Sequence, residues 1–137
     1  MNRTLAIIFA SAISIAAIHA ADFKIIANSS VKPDSVTADE LKRVFLATAT
    51  SLGGSHVEPV LEKGGATHEA FLKECVGKTD AALNTYYRSL VFTGKASMPK
   101  QLATDADVAA YVAKTKGAIG YVATVTEAPD VKVLEVK

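Results

Sequence analysis

Hydrophobic positions change period repeatedly along this chain, and each change marks an element. Phe23–Asn28 (FKIIAN) is a near-continuous apolar run that ends in the polar turn Asn28-Ser29-Ser30, which predicts a buried strand. Thr37-Ala38-Asp39-Glu40 has the form of a capping box, and Leu41, Val44 and Phe45 follow at helical spacing, so a helix is expected to about Ala47. Ser51–Ser55 reads as a Gly-rich turn. His56–Leu61 (HVEPVL) reads as a strand in which Pro59 calls for an edge or a bulge. Gly64-Gly65 breaks the chain before a helix that opens near Thr67, buries Phe71, Leu72 and Cys75, and stops at Gly77.

Thr79-Asp80 caps the next helix, with Leu83, Tyr86, Tyr87, Leu90 and Val91 along it. Residues 93–101 read as a loop. Thr104 caps a further helix with Asp105 and Asp107 in its first turn, where the helix dipole favours acids. Val108, Tyr111 and Val112 form its apolar side, and Gly117 stops it. Ala118–Val122 (AIGYV) and Val131–Val136 (VKVLEV) are the last two strands. Strands alternate with helices, so the class is α/β with a mainly parallel sheet flanked by helices. The expected core is Ile25, Ile26, Phe45, Val60, Phe71, Leu83, Leu90, Val112, Ile119 and Val122.

The first twenty residues stand apart from this pattern. They hold one positive charge, Arg3, no acid, and an apolar run from Leu5 to Ile18 that ends in His19-Ala20. These are the three regions of a secretory signal peptide. The run is short of the ~20 residues that span a bilayer. Residues 1–20 are therefore read as a leader, and residues 21–137 as one exported, periplasmic domain with no membrane insertion after cleavage. That domain carries 14 basic and 14 acidic residues. A neutral balance argues against a nucleic-acid binder that works through bulk charge. The single cysteine, Cys75, excludes an internal disulfide and a multi-cysteine zinc site, and reads as a buried thiol.

The chemistry concentrates at Lys63-Gly64-Gly65-Ala66-Thr67-His68. A strand feeds a Gly-rich turn that feeds a helix start, which gathers free backbone N–H groups, the positive end of a helix dipole and a hydroxyl. Lys63 adds charge, and His68 adds more when protonated. The plainer reading is an ordinary strand-to-helix turn capped by Thr67. The Asn28-Ser29-Ser30 turn is expected nearby, because ligands of open α/β sheets collect outside the carboxyl ends of strands. His56 and His68 lack the spacing of metal ligands and read as exposed; no metal and no cofactor are assigned. Ser29–Lys32 and Ser97–Lys100 match a Ser-x-x-Lys string, but neither serine opens a predicted helix and the chain is too short for that enzyme fold. No nucleophile–base pair is visible, so no catalytic residue is assigned and the chain is read as a non-enzyme.

Several segments, in order, resemble the substrate-binding proteins of phosphate ABC transporters, and their short single-domain relatives most closely. They are Thr37–Leu46, Gly64–Phe71, Leu90-Val91-Phe92-Thr93-Gly94-Lys95, and Lys114–Val122 with its Gly-Ala-Ile-Gly-Tyr block. The resemblance implies one lobe of a periplasmic-binding-protein-like fold. It implies a phosphate or other small-anion ligand, with an ABC permease or another periplasmic protein as partner. Carried over residue by residue, the family's phosphate-binding Ser falls on Gly65, its second Gly on Ala66, its Thr on Thr67 and its Arg on His68. An upstream Arg falls on Leu61. The bidentate charged contacts that make phosphate binding tight are missing. A second reading follows from those departures: an accessory or interaction protein that keeps the lobe without the ligand.

Overall fold

The computed structural model describes residues 23–124 and 128–137, so the expected leader lies outside the described residues. Hydroxyl caps set the helix starts. Thr37 Oγ1 accepts the Glu40 N–H at 3.1 Å and Glu40 Oε2 accepts the Thr37 N–H at 2.9 Å, closing the capping box on α1 (Ala38–Phe45). Thr79 caps α3 (Asp80–Phe92) and Thr104 caps α4 (Asp105–Lys114) in the same way, at 3.2 and 3.1 Å. Such a cap is worth about 1 kcal/mol. Between α1 and α3 lies α2 (Ala66–Phe71), which runs into a π-helical turn, Leu72–Val76, and ends at Gly77.

The strands are β1 (Lys24–Asn28), β2 (Ser35–Val36), β3 (Ser51–Leu52), β4 (Ser55–His56), β5 (Glu58–Glu62), β6 (Lys100–Leu102), β7 (Ala118–Val122) and β8 (Val131–Val136). Six of them form one sheet in the order β2-β8-β1-β7-β5-β6. The sheet is mainly parallel: β2 pairs with β8, and β5 with both β6 and β7, in parallel register. β1 alone runs against its two neighbours, β7 and β8.

Four details depart from the sequence pattern. The Gly-rich turn at Ser51–Ser55 is the corner of a two-stranded hairpin, β3-β4. Lys100–Leu102, whose first two residues were expected to end a loop, pairs with Val60–Glu62; its apolar content is too small to announce a strand. The short strand β2 escapes for the same reason. Pro59 sits on neither an edge strand nor a bulge, because β5 lies between β7 and β6. The Glu58 N–H donates toward β7, to Gly117 O at 2.8 Å. Alternation then aims the nitrogen of Pro59 at the other side, where β6 pairs only from Val60 onward, so no bond is lost.

Alternation along the strands sorts the core into two faces. Ile25, Ala27, Leu61, Ile119, Tyr121 and Leu134 pack with α1, the Phe71–Val76 helical run and α3. Ile26, Val60, Ala118 and Val122 pack with Val108 and Val112 of α4. Nine of the ten expected core residues are buried; Leu90 is half-buried at the rim of the first face. The Gly-Ala-Ile-Gly-Tyr block has a packing cause. A Cβ on Gly117, whose φ is +77°, would meet His56 O at 2.5 Å, and one on Gly120 would meet Val108 Cγ1 at 2.9 Å. Glycine at these positions lets β4 and α4 approach the sheet.

Candidate functional site

β5 ends at Glu62, and Lys63 extends its ladder by donating to Leu102 O at 2.9 Å. Gly64, Gly65 and Ala66 then lie exposed. Gly65, at φ +97°, is the N-cap of α2 and supplies no side-chain cap; a Cβ there would find open space. The cap thus lies two residues before Thr67, which is the second residue of the helix and not its cap. The first intrahelical bond is Glu69 N to Gly65 O, so the N–H groups of Ala66, Thr67 and His68 precede the ladder and point out of the helix end. Lys63 is exposed beside them and Thr67 is half-buried. Backbone donors, a hydroxyl and one cation therefore share this turn.

His68 departs from its expected exposure. It is 2% exposed, with its ring turned under the sheet face and not toward the turn. Its Nδ1 meets Tyr121 Oη at 2.5 Å and its Nε2 meets Asp80 Oδ1 at 2.7 Å. Tyr121 Oη also accepts the Glu62 N–H at 2.9 Å. One phenol proton then serves His68 Nδ1, which leaves Nε2 as the donor to Asp80. A chain of hydrogen bonds joins the end of β5, through β7, to α2 and the start of α3. His68 gives the turn its backbone N–H; its imidazole is spent on this chain. His56 is exposed, as its pattern predicts.

The Asn28-Ser29-Ser30 turn is not brought to the Lys63–His68 turn. Lys24 pairs with Val122 and Ala27 with Ile119, so the end of β1 lies at the opposite end of the sheet from Glu62. A strand of that length separates the two turns by about 13 Å. The side chains there are structural. Asn28 Nδ2 donates to Val112 O at 2.7 Å and Ala113 O at 3.2 Å, closing the end of α4, and Asn28 Oδ1 accepts the Ser30 N–H. Ser30 Oγ accepts the Gly117 N–H at 3.0 Å, and Ser29 N–H donates to Asp130 O. The reversed direction of β1, which periodicity does not encode, is what moves this turn away.

A second pair of groups was invisible in the sequence. The Glu62 carboxyl is 6% exposed, its Oε1 has no hydrogen-bond partner among the described residues, and Asp105, forty-three residues later at the start of α4, acts on its titration. Burial, with Asp105 adding to it, pushes the Glu62 carboxyl up to about 8. Asp105 is held below its ordinary value by Glu62 and by backbone N–H groups of Ala123 and Thr124. Only an acid ending a strand beside an acid opening a helix hinted at this. Cys75 is buried, and burial raises its thiol to about 11. Among the described residues, no group of three or more His, Cys, Asp or Glu is placed to hold a metal ion, and no helix is long and apolar enough to cross a membrane.

The fold is that of phosphate-type solute-binding proteins. The chain superposes on a candidate phosphate ABC-transporter substrate-binding protein from Clostridium perfringens, solved with phosphate bound, at a TM-score of 0.63 and 18% identity, over 83% of this chain and 44% of that one. It is also similar to an ABC-type phosphate transport receptor from Vibrio cholerae (TM-score 0.52, 13% identity, 83% and 45% covered). A candidate phosphate-binding protein from Planctomyces limnophilus gives 0.53, 12%, 84% and 41%. The chain spans less than half the length of these proteins. No family model and no curated protein sequence matches it.

Proposed function

We propose that the chain is an exported, periplasmic solute-binding protein that takes phosphate or another small oxyanion on the Lys63–His68 turn. One observation carries the reading: three backbone N–H groups have no acceptor among the described residues at the carboxyl end of a parallel strand, beside Thr67 and Lys63. This is the geometry in which helix starts hold anions. The likeness in fold to a phosphate-bound protein supports it. The ligand contacts are Lys63, Gly64, Gly65, Ala66, Thr67 and the N–H of His68; Asn28, Ser29 and Ser30 drop out because they stand at the other end of the sheet. An ABC permease or another periplasmic protein is the proposed partner, and the role is binding and not catalysis.

A helix terminus contributes about 0.3–1 kcal/mol to an exposed charge and up to about 2 when partly buried. With no Arg on the anion, micromolar affinity or weaker is expected, about −8 kcal/mol at best. Calorimetry of the purified protein against phosphate, sulfate and small carboxylates tests the reading. Saturable binding of an oxyanion that weakens in Lys63→Ala and Thr67→Val supports it. Absence of binding at millimolar anion, or binding indifferent to both substitutions, removes the site. Mass spectrometry of the protein from the producing cell tests export: a mature chain beginning at Ala21 or Asp22 is expected, and an intact Met1 in the soluble fraction contradicts it.

A further inference from the structure

Residues 21–137 balance their charges in sum and not in space. Glu62 stands at the carboxyl end of β5, and α2 opens beside it with Glu69 in its first turn. α3 opens at the same end, because Asp80 meets His68 of α2. So does α4, whose Asp105 accepts the Ala123 N–H just past β7. Acids in first turns suit the helix dipoles. The opposite end of the sheet is basic. α4 finishes there, beside Asn28, and exposed Lys114 and Lys116 follow. α3 runs ~20 Å toward that end, and the chain re-enters the sheet at Lys100, in register with Val60 of β5. No acid occurs between Asp80 and Asp105, whereas Arg88, Lys95 and Lys100 do. Of the acids at this end, Glu58 accepts the Tyr111 hydroxyl and Asp130 is exposed. Three exposed large apolar side chains lie in the same acid-free stretch: Val91, Met98 and Phe92, the last 93% exposed.

A defined cap holds this apolar tip outward. Gly94, at φ +71°, lets the Lys95 N–H return to Leu90 O at 2.8 Å and its own N–H to Val91 O at 3.1 Å, which closes α3 in a Schellman motif. The Thr93 N–H and hydroxyl both donate to Ser89 O. The position after the glycine often carries an apolar side chain folded back on the helix; here it is the exposed Lys95. The end of α3 therefore pairs its last carbonyls and shows an apolar tip among cations. We propose that this tip docks on an anionic phospholipid surface, with Phe92, Val91 and Met98 in the headgroup layer and Arg88 and Lys95 against the lipid phosphates. Phe92 protrudes from a helix end and lines no groove, so it suits a layer that opens around it; a protein partner would need a matching pocket. Backbone groups paired within the tip lose nothing on leaving water. The contact is peripheral, since no described helix is long and apolar enough to cross a membrane. It does not rest on the anion reading, whose turn lies at the other end of the sheet.

Sedimentation of the purified protein with phosphatidylcholine vesicles containing about a third phosphatidylglycerol tests the docking. Binding should be saturable at low salt, weaken severalfold at physiological ionic strength, and be at least about fivefold weaker on pure phosphatidylcholine. Phe92→Ser should lower the affinity about five- to tenfold and Lys95→Gln about fivefold. Both side chains are exposed, so neither change touches the core. Lys78→Gln removes the same charge just before the start of α3, at the acidic end, and should leave binding within about twofold of the wild type. No sedimentation with the anionic vesicles at low salt overturns the docking, as does binding that both tip variants leave unchanged. Equal weakening in Lys78→Gln and Lys95→Gln would mean attraction by charge anywhere on the surface, and overturns it too. Analytical ultracentrifugation of the protein alone tests the competing occupant. A dimer that Phe92→Ser dissociates, together with no vesicle binding, overturns the docking and assigns the tip to a second copy of the chain.

Discussion

Replacing Tyr121 with Phe removes one oxygen and leaves the ring. That ring is 0% exposed and stacks on Phe71 with centroids 3.9 Å apart, so packing is retained and the change isolates the hydroxyl. Two partners lose their bond. The Glu62 N–H is left unpaired at a strand end, which costs about 1–3 kcal/mol when buried, and the His68 bond is worth about 0.5–1.5 kcal/mol. The expected loss is therefore roughly 2–4 kcal/mol, a large part of the 5–15 kcal/mol typical of a whole domain. The chain has no Trp, so urea unfolding is best followed by far-UV circular dichroism. The midpoint should fall while the slope stays the same. Because the hydroxyl and His68 form one chain of bonds, Tyr121→Phe and His68→Leu should be non-additive by about 0.5–3 kcal/mol. A loss under about 0.5 kcal/mol, or strict additivity, would show that water replaces the phenol and that the chain is not coupled.

Three further outcomes follow from single contacts. Glu62 binds a proton in the folded state that it has lost in the unfolded state between pH 4.5 and about 8, so stability falls as pH rises through that window. Glu62→Gln should match the wild type near pH 4.5 and exceed it by a few kcal/mol near pH 9; parallel melting profiles from pH 5 to 9 would contradict the raised Glu62 carboxyl. Gly117→Ala places a methyl 2.5 Å from His56 O and should cost well over the ~1–2 kcal/mol of the left-handed backbone alone, whereas Gly54→Ala, at φ +82° in open space, should cost no more than that. Equal melting temperatures for the two variants would refute the contact. Cys75, buried and with its thiol raised to about 11, should react with a thiol reagent at pH 8 far more slowly in buffer than in urea. Equal rates would place it at the surface.

Much of the fold was legible because the residues that build it act locally. Thr37 and Glu40 declare a helix start within four residues, and Thr79, Thr104, Gly77 and Gly117 mark other ends as plainly. The apolar strands β1, β7 and β8 stand out by composition. What was not legible depends on partners far along the chain. β6 has three residues and is a strand only because β5 lies beside it. The direction of β1 follows from the placement of β7 and β8 on either side of it, and that direction alone carries Asn28 away from the Lys63–His68 turn. His68 looked like an exposed ligand because its partners, Asp80 and Tyr121, are twelve and fifty-three residues away. Glu62 and Asp105 were hidden for the same reason.

The segments that make the chain resemble phosphate-binding proteins are, on this structure, mostly parts of the scaffold. Thr37–Leu46 is a capped helix whose Leu41, Val44 and Phe45 fill the core. In Gly-Ala-Ile-Gly-Tyr the two glycines admit neighbouring backbone and side chain, the Ile packs, and the Tyr hydroxyl joins Glu62 to His68. A lobe of this shape demands those residues whatever it binds. Ligand recognition makes a separate demand, for charge and donors at one turn. There the chain keeps the backbone and Thr67 and has Leu61 and His68 where the resemblance implies arginines; His68 is also committed beneath the sheet face. The two demands thus fall on different residues, and sequence resemblance reports chiefly on the first. The proposed anion turn must be judged by its own chemistry: one hydroxyl, one lysine and three backbone N–H groups without an acceptor among the described residues.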